Sequence, residues 1–215
     1  MDQRFAATRA SYDEVAPAYA ERIFAELRDK PFDRQWLDQL AAETDSGGWL
    51  ADLGCGPGQV ARYLADRGAR VCGLDLSRGM LAQAARLNPA IPFLQGSLLA
   101  LPVADGAWAG AAAFYSIIHV PPPALPDALR EARRALRPGG SLLLAFHLGA
   151  EPVHLDEWWG RAVDVDFFFF GLEEMIDALR GAGFEISRAA EREPYPEVEH
   201  PSRRGYVVAR RPLGP

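Results

Sequence analysis

The stretch Asp52-Leu-Gly-Cys-Gly-Pro-Gly58 constrains this chain more than any other. It follows the short apolar run Trp49–Leu53 and precedes Val60, Tyr63 and Leu64, which recur at helical spacing. A strand, a glycine loop and a helix in that order form half of a βαβ unit. Glycines there permit positive φ and let a ligand approach the backbone. The start of the following helix offers free N–H groups. Asp75 ends the next apolar run, Arg70–Leu74, where an acid can accept hydrogen bonds from both ribose hydroxyls of a nucleoside.

Two phosphate-binding readings fail on the residues. A phosphate-cradling Walker loop needs Gly-Lys-Ser/Thr, but Gly58 is followed by Gln59 and Val60. The dinucleotide fingerprint needs glycines at positions one, three and six, and counting from Gly54 puts Gln59 at the sixth. Asp52 would also repel a pyrophosphate. A nucleoside that carries positive charge and no phosphates fits better.

The rest of the chain alternates strands with helices. Ser77 is a suitable N-cap for a helix carrying Met80, Leu81, Ala84 and Leu87. Ile91–Leu94 reads as a third strand. Trp108–Ile118, nearly free of charge, reads as a fourth, buried on both faces. Leu125, Leu129, Ala132 and Leu136 mark a helix ahead of a fifth strand, Ser141–Phe146. Leu172, Met175, Ile176 and Leu179 mark another helix. Phe184–Ile186 and Gly205–Ala209 then follow without a helix between them, which predicts an antiparallel pair at one sheet edge. Before all of these, Val15, Tyr19 and Ile23 share a helix face, and Pro31 opens a second helix through Trp36, Leu37 and Leu40. Asp45-Ser-Gly-Gly48 is a loop signal.

With 215 residues, one α/β domain accounts for the whole chain, since such domains often run to about 200–250 residues. The net charge of −6 argues against nucleic acid as a partner. Two cysteines, Cys55 and Cys72, are too few for a disulfide framework or a tetrahedral zinc site, so no metal is expected. No apolar run approaches the roughly 18–20 residues of a membrane span. Met1–Ala10 carries Asp2, Arg4 and Arg9 and does not read as a signal peptide. The expectation is a cytoplasmic protein.

The glycine loop with its preceding acid resembles the first motif of the class I S-adenosylmethionine-dependent methyltransferases that act on small molecules. Gly73-Leu-Asp-Leu-Ser77 resembles the second, and Gln95-Gly-Ser97 stands where the family often has Gly-Asp to bind adenine. Phe114-Tyr-Ser-Ile-Ile-His-Val120 resembles the fourth-strand motif, and Leu136-Arg-Pro-Gly-Gly-Ser-Leu-Leu-Leu144 the approach to strand five. Tyr12-Asp-Glu-Val-Ala-Pro-Ala-Tyr19 is similar to the N-terminal helix that covers the cofactor. The likeness runs in register over residues 10–147. It implies a Rossmann-like three-layer sandwich with a seven-stranded, mostly parallel sheet of order 3-2-1-4-5-7-6, strand seven antiparallel. Residues 1–44 would form a helical cap and residues 148–170 an aromatic substrate lid. It implies S-adenosylmethionine as cofactor and methyl transfer to a small-molecule acceptor, foremost at oxygen. N-, C- or S-methylation, and a cofactor-binding protein with no or different activity, stay open as alternatives.

The resemblance assigns cofactor contacts to Tyr12, Tyr19, Asp52, Gly54, Cys55, Gly56, Gly58, Asp75, Leu76, Met80, Ser97, Leu98 and Tyr115. Cys55 reads as a spacer and Cys72 as core. Tyr12 and Tyr19 share one helix face, so they either pack or reach the ligand, where their rings could flank a sulfonium. His119 ends strand four, where open α/β sheets place ligands. It is either a structural histidine or a general base for a hydroxyl acceptor. His147, Trp158, Phe168 and Arg203 are the substrate-side candidates, Arg203 and Arg204 being suited to a carboxylate. Four consecutive phenylalanines, Phe167–Phe170, cannot all face one side. Glu197–Glu199 read as surface, Asp164 and Asp166 as solvating charges, and the aromatic lid could serve as a homodimer interface.

Overall fold

A computed structural model describes residues 3–44 and 47–214; the Asp45–Ser46 half of the loop signal, and Met1 and Asp2 of the N-terminal segment, lie outside the described residues. Two helices come first, α1 (Gln3–Ile23) and α2 (Pro31–Glu43). Then follow β1 (Trp49–Leu53), α3 (Gln59–Ala65), β2 (Arg70–Asp75), α4 (Arg78–Leu87), β3 (Phe93–Gln95) and β4 (Trp108–Phe114). The second half runs α5 (Leu125–Ala135), β5 (Leu136–His147), β6 (Val153–Trp158), β7 (Arg161–Phe167), α6 (Leu172–Gly181), β8 (Glu185–Arg192) and β9 (Arg204–Arg210).

The main sheet has the order β3-β2-β1-β4-β5-β9-β8, and β6 and β7 form a separate hairpin. With the hairpin set aside, this is the 3-2-1-4-5-7-6 order. β9 runs antiparallel to both β5 and β8, as the terminal pair predicts. The layers follow from strand alternation. Leu53, Leu74, Ala111, Leu142, Leu144 and Val207 face α5 and α6 in one core. Leu50, Val71, Ala112, Leu143, Ala145 and Val208 face α2 and α3 in the other. The alanines of β4 let this central strand fit between two helical layers.

The fourth strand is shorter than its sequence suggests. It ends at Phe114, because Tyr115 adopts a positive φ of 54° and Ile117–His119 form a single 3-10 turn. This turn carries His119 to the end of the sheet. The aromatic insertion folds as the β6–β7 hairpin and lies on α1. Asp164, read as a solvating residue, has its main chain clasped by Ser11: Ser11 Oγ accepts the Asp164 N–H at 2.8 Å and donates to its carbonyl at 3.3 Å.

The acids at Glu197–Glu199 are not all at the surface. The Glu199 side chain is 1 % exposed and binds Arg192 at 2.6 Å and Lys30 at 3.2 Å. Arg192 also pairs with Asp33 of α2 at 2.7 Å, and Lys30 with Glu26 at 2.6 Å. The cluster ties the N-terminal helices to the β8–β9 loop. Burial alone would raise the Glu199 carboxyl, but hydrogen bonds from Arg192 and the Tyr195 N–H, with Lys30 and Arg204 nearby, outweigh it and hold the group at about 2.

Glu199→Gln leaves Lys30, Arg192 and Arg204 without their shared anion and should cost about 3–5 kcal/mol in urea unfolding at neutral pH. The folded carboxyl lies below its unfolded value of about 4.3. Its stabilisation is therefore present above that value and fades as pH falls towards 2. Wild type should lose stability across that window and the variant should lose less; equal acid slopes would remove Glu199 from the account.

Candidate active site

A cavity of about 450 Å³ opens at the C-terminal ends of β1, β2, β4 and β5, roofed by α1 and the β6–β7 hairpin. Open α/β sheets place ligands at this edge, and the volume is that of a small-molecule site. Its floor at one end is the glycine loop. The Gly54 and Cys55 N–H groups donate to the Leu74 carbonyl at 2.7 and 2.9 Å, which fastens the loop to β2. Gly54 and Gly56 adopt φ of 71° and 51° and line the cavity with bare backbone. A side chain on Gly54 would collide with Ser116 Cβ at 2.3 Å, so the segments leaving β1 and β4 can pass this closely only with glycine at position 54.

Asp75 faces this end. One carboxylate oxygen accepts the Gly56 N–H and the other the Ser77 N–H, both at 2.8 Å. Each oxygen keeps a lone pair for a ligand hydroxyl. Burial raises the group to about 6, so it is mostly ionised at neutral pH. Leu76, Gly96, Ser97 and Leu98 complete the wall, Ser97 Oγ accepting the Leu99 N–H at 3.2 Å. Ser77 caps α4 through the Met80 N–H at 3.0 Å, as its position in the sequence suggests.

Four residues assigned to the cofactor stand behind the cavity. Asp52 Oδ2 accepts the Ala61 N–H at 2.9 Å, so this acid fixes the start of α3. Its burial raises it to about 7. Cys55 is buried and its thiol is pushed up. Gly58 is the left-handed residue that starts α3. Met80 is buried with Val15 and Ala16. They shape the loop from below.

The middle of the cavity is aromatic. Tyr12 and Tyr19 lie edge-on to each other at 5.9 Å, and each lies 5.6 Å from Trp158. The Tyr12 hydroxyl meets His119 Nε2 at 2.8 Å. His119 Nδ1 lies 3.1 Å from the Asp166 carbonyl, which can only accept, so Nδ1 carries the proton and Tyr12 donates to Nε2. Burial lowers His119 to about 4 and keeps it neutral. Neither ring nitrogen therefore meets a ligand directly, and only Tyr12 connects this ring to the cavity.

The far end holds Tyr115, His147, Phe169, His200, Glu199, Lys30 and Arg204. Phe168, assigned to the substrate, is instead buried in the core, while Phe167 and Phe169 line the cavity. The segment is extended, so alternate rings take opposite sides. Arg203 likewise leaves the cavity to Arg204 and pairs with Glu191 and Glu193 on the surface. The tyrosines, Trp158, Asp75, Tyr115, His119 and His147 are brought together. Glu26, Lys30 and Glu199 were not legible as cavity residues; no motif marks them, and only folding joins them.

The polar atoms fit a cationic nucleoside. Gln59 Oε1 is buried at the cavity wall with no partner among the described residues, and its amide donates to Glu26 at 3.1 Å. Unused acceptors beside a carboxylate suit an ammonium group, and the tyrosine and tryptophan rings suit a sulfonium. Among the described residues no helix is long and apolar enough to cross a membrane.

Known proteins agree with this arrangement. A family described as "Methyltransferase domain" matches residues 50–140. A malonyl-[acyl-carrier protein] O-methyltransferase of Enterobacter lignolyticus is 32% identical over 190 residues, 84% of this chain and 70% of that protein. A demethylmenaquinone methyltransferase of Beutenbergia cavernae is 33% identical over 62% of this chain and 55% of its own length. The crystal structure of a SAM-dependent methyltransferase from Methanosarcina mazei superposes with a TM-score of 0.73 at 17% identity, covering 82% of this chain and 98% of the other. The chain belongs to the class I S-adenosylmethionine-dependent methyltransferases, with S-adenosylmethionine as its cofactor.

Proposed function

We propose that residues 1–215 act as one domain that transfers a methyl group to an oxygen atom of a small-molecule acceptor. The observation that carries the reading is the single cavity running from Asp75 and the glycine loop, past the aromatic middle, to a far end with its own polar groups. One ligand does not need both ends. A relative named as an O-methyltransferase matches over 84% of this chain.

The cofactor supplies a methyl group already activated on a positively charged sulfur. The protein must then orient two ligands and exclude water, because a reacting pair held about 3–3.5 Å apart gains most of its rate from placement. Asp75, with Gly54, Gly56, Leu76, Ser97 and Leu98, holds the adenosyl part. Tyr12, Tyr19 and Trp158 wall the centre. His119 acts through Tyr12: its Nε2 holds the phenol, and the Tyr12 oxygen meets the acceptor. An acceptor that arrives as a hydroxyl gives its proton to the Tyr12 oxygen as Tyr12 passes its own to His119 Nε2, whereas one that arrives ionised is only held by the Tyr12 hydroxyl.

A panel of small hydroxy, phenolic, carboxylic, amino and thiol compounds tests the reading by release of S-adenosylhomocysteine. Turnover with an oxygen acceptor is expected; turnover confined to the other classes would overturn it. Asp75→Asn should weaken S-adenosylhomocysteine binding about tenfold or more, or ~1.4 kcal/mol. In wild type the affinity should fall as pH drops below about 6, where the Asp75 carboxylate is protonated, and the variant should lose that dependence. His119→Ala should lower turnover more than about tenfold; a smaller loss would assign the work to another group.

A further inference from the structure

Beside the far end of the cavity stand two N–H groups, on Arg204 and His147, with no protein partner among the described residues. Arg204 is 2 % exposed and lines the cavity. Its Nη1 donates to Ser202 Oγ at 2.7 Å and to the Ser202 carbonyl, and its Nη2 donates to the His200 carbonyl at 3.1 Å. Its Nε is buried with no partner among the described residues. Glu199 does not neutralise this guanidinium at close range. That carboxylate is held by Arg192 at 2.6 and 2.9 Å and by Lys30 at 3.2 Å, and stands 3.9 Å from Arg204.

The second donor is set by where Ser202 sends its hydroxyl hydrogen. Arg204 can only donate, so Ser202 Oγ accepts from it and keeps its own hydrogen to give. The nearest acceptor is His147 Nδ1 at 2.7 Å, with His200 Nδ1 farther at 3.2 Å. With Nδ1 accepting, the neutral His147 ring carries its proton on Nε2. Burial, with Arg204 and His200 adding to it, lowers this imidazole to about 3 and keeps it neutral. With the hydroxyl hydrogen given to the nearer ring, His147 Nε2–H is a donor beside Arg204.

His147 and Arg204 stand directly opposite each other on β5 and β9, so their side chains leave the same face of the sheet. The His147 ring is clamped against Phe169, with centroids 5.0 Å apart and planes 15° from parallel. The Arg204 guanidinium lies 5.6 Å from the Tyr115 ring. β5 is three strands from β2, about 14 Å at the usual spacing, so this pair belongs to the acceptor and not to the ribose end.

A neutral N–H beside a buried guanidinium with one idle donor suits an anionic oxygen. Phe167, Phe169, Tyr115 and Trp158 supply apolar walls. We propose that the Arg204 guanidinium and His147 Nε2 bind one oxygen of the acceptor's carboxylate, so that this chain methylates an apolar monocarboxylic acid. The proposal rests on the oxygen-methylation reading above and names its substrate class. The second carboxylate oxygen forms the new O–C bond as the C–S bond breaks, and the electron pair stays on sulfur. No proton moves, and the neutral ester loses its attraction to Arg204.

Calorimetry on protein saturated with S-adenosylhomocysteine tests this, with octanoate and 3-phenylpropanoate each compared with its methyl ester. At least one acid should bind wild type about tenfold or more tighter than its ester. His147→Phe keeps the ring stack and removes the donor; it and Arg204→Gln should cut that preference below about threefold and leave S-adenosylhomocysteine affinity within about twofold. Equal binding of both acids and their esters by a wild type that holds S-adenosylhomocysteine would overturn the proposal. So would a preference that survives His147→Phe, the variant retained if Arg204→Gln does not fold. A wild type that fails to bind S-adenosylhomocysteine would instead overturn the cofactor reading, and this one with it.

Discussion

The carboxylate of Asp13 joins the roof of the cavity to its floor. It accepts the Ser77 hydroxyl at 2.6 Å and the Gly79 N–H at 2.7 Å, so a residue of α1 completes the cap of α4. Ser77 is also the residue whose N–H holds Asp75. One short chain of hydrogen bonds therefore connects the covering helix, the start of α4 and the acid at the nucleoside end. Gly79 lies so close to Asp13 that any side chain there would strike its backbone at 2.9 Å. That contact, with the Ser11 clasp on the hairpin, sets the height of α1 above the sheet, and with it the distance from Tyr12, next in sequence, to His119.

What could be read from the sequence is what depends on local pattern. The strand and helix order, the edge pair and the glycine loop follow from periodicity and turn chemistry. The N-terminal tyrosines follow from seven-residue spacing on a helix. What escaped depends on long-range packing. Asp52 looks like a ligand-facing acid until the Ala61 N–H claims it. Nothing local tells Arg203 from Arg204; strand register decides which one turns inward. Phe168 and Phe169 differ for the same reason. Glu199 resembles its exposed neighbours in sequence, and only the meeting of Lys30, Arg192 and Arg204 explains its burial.

The charges divide into two kinds. The surface pairs, such as Arg62 with Asp66 and Arg180 with Asp177, are exposed one turn apart on helices and contribute little. The buried set around Glu199 is costly to assemble and specific in geometry. It sits beside the aromatic part of the cavity, so buried charges stand directly behind apolar walls. A low-dielectric wall with fixed charges behind it distinguishes ligands by ionisation as well as by shape.

The clasp between Ser11 and Asp164 spans 153 residues of sequence. A contact of that separation closes only after the intervening sheet is in place, since loop-closure entropy must be met before the bond rewards it. The roof is thus joined to the sheet by contacts of long sequence separation, and the cavity needs both. A ligand that bridges roof and sheet binds only the finished state, and so adds its binding energy to the stability of the whole chain.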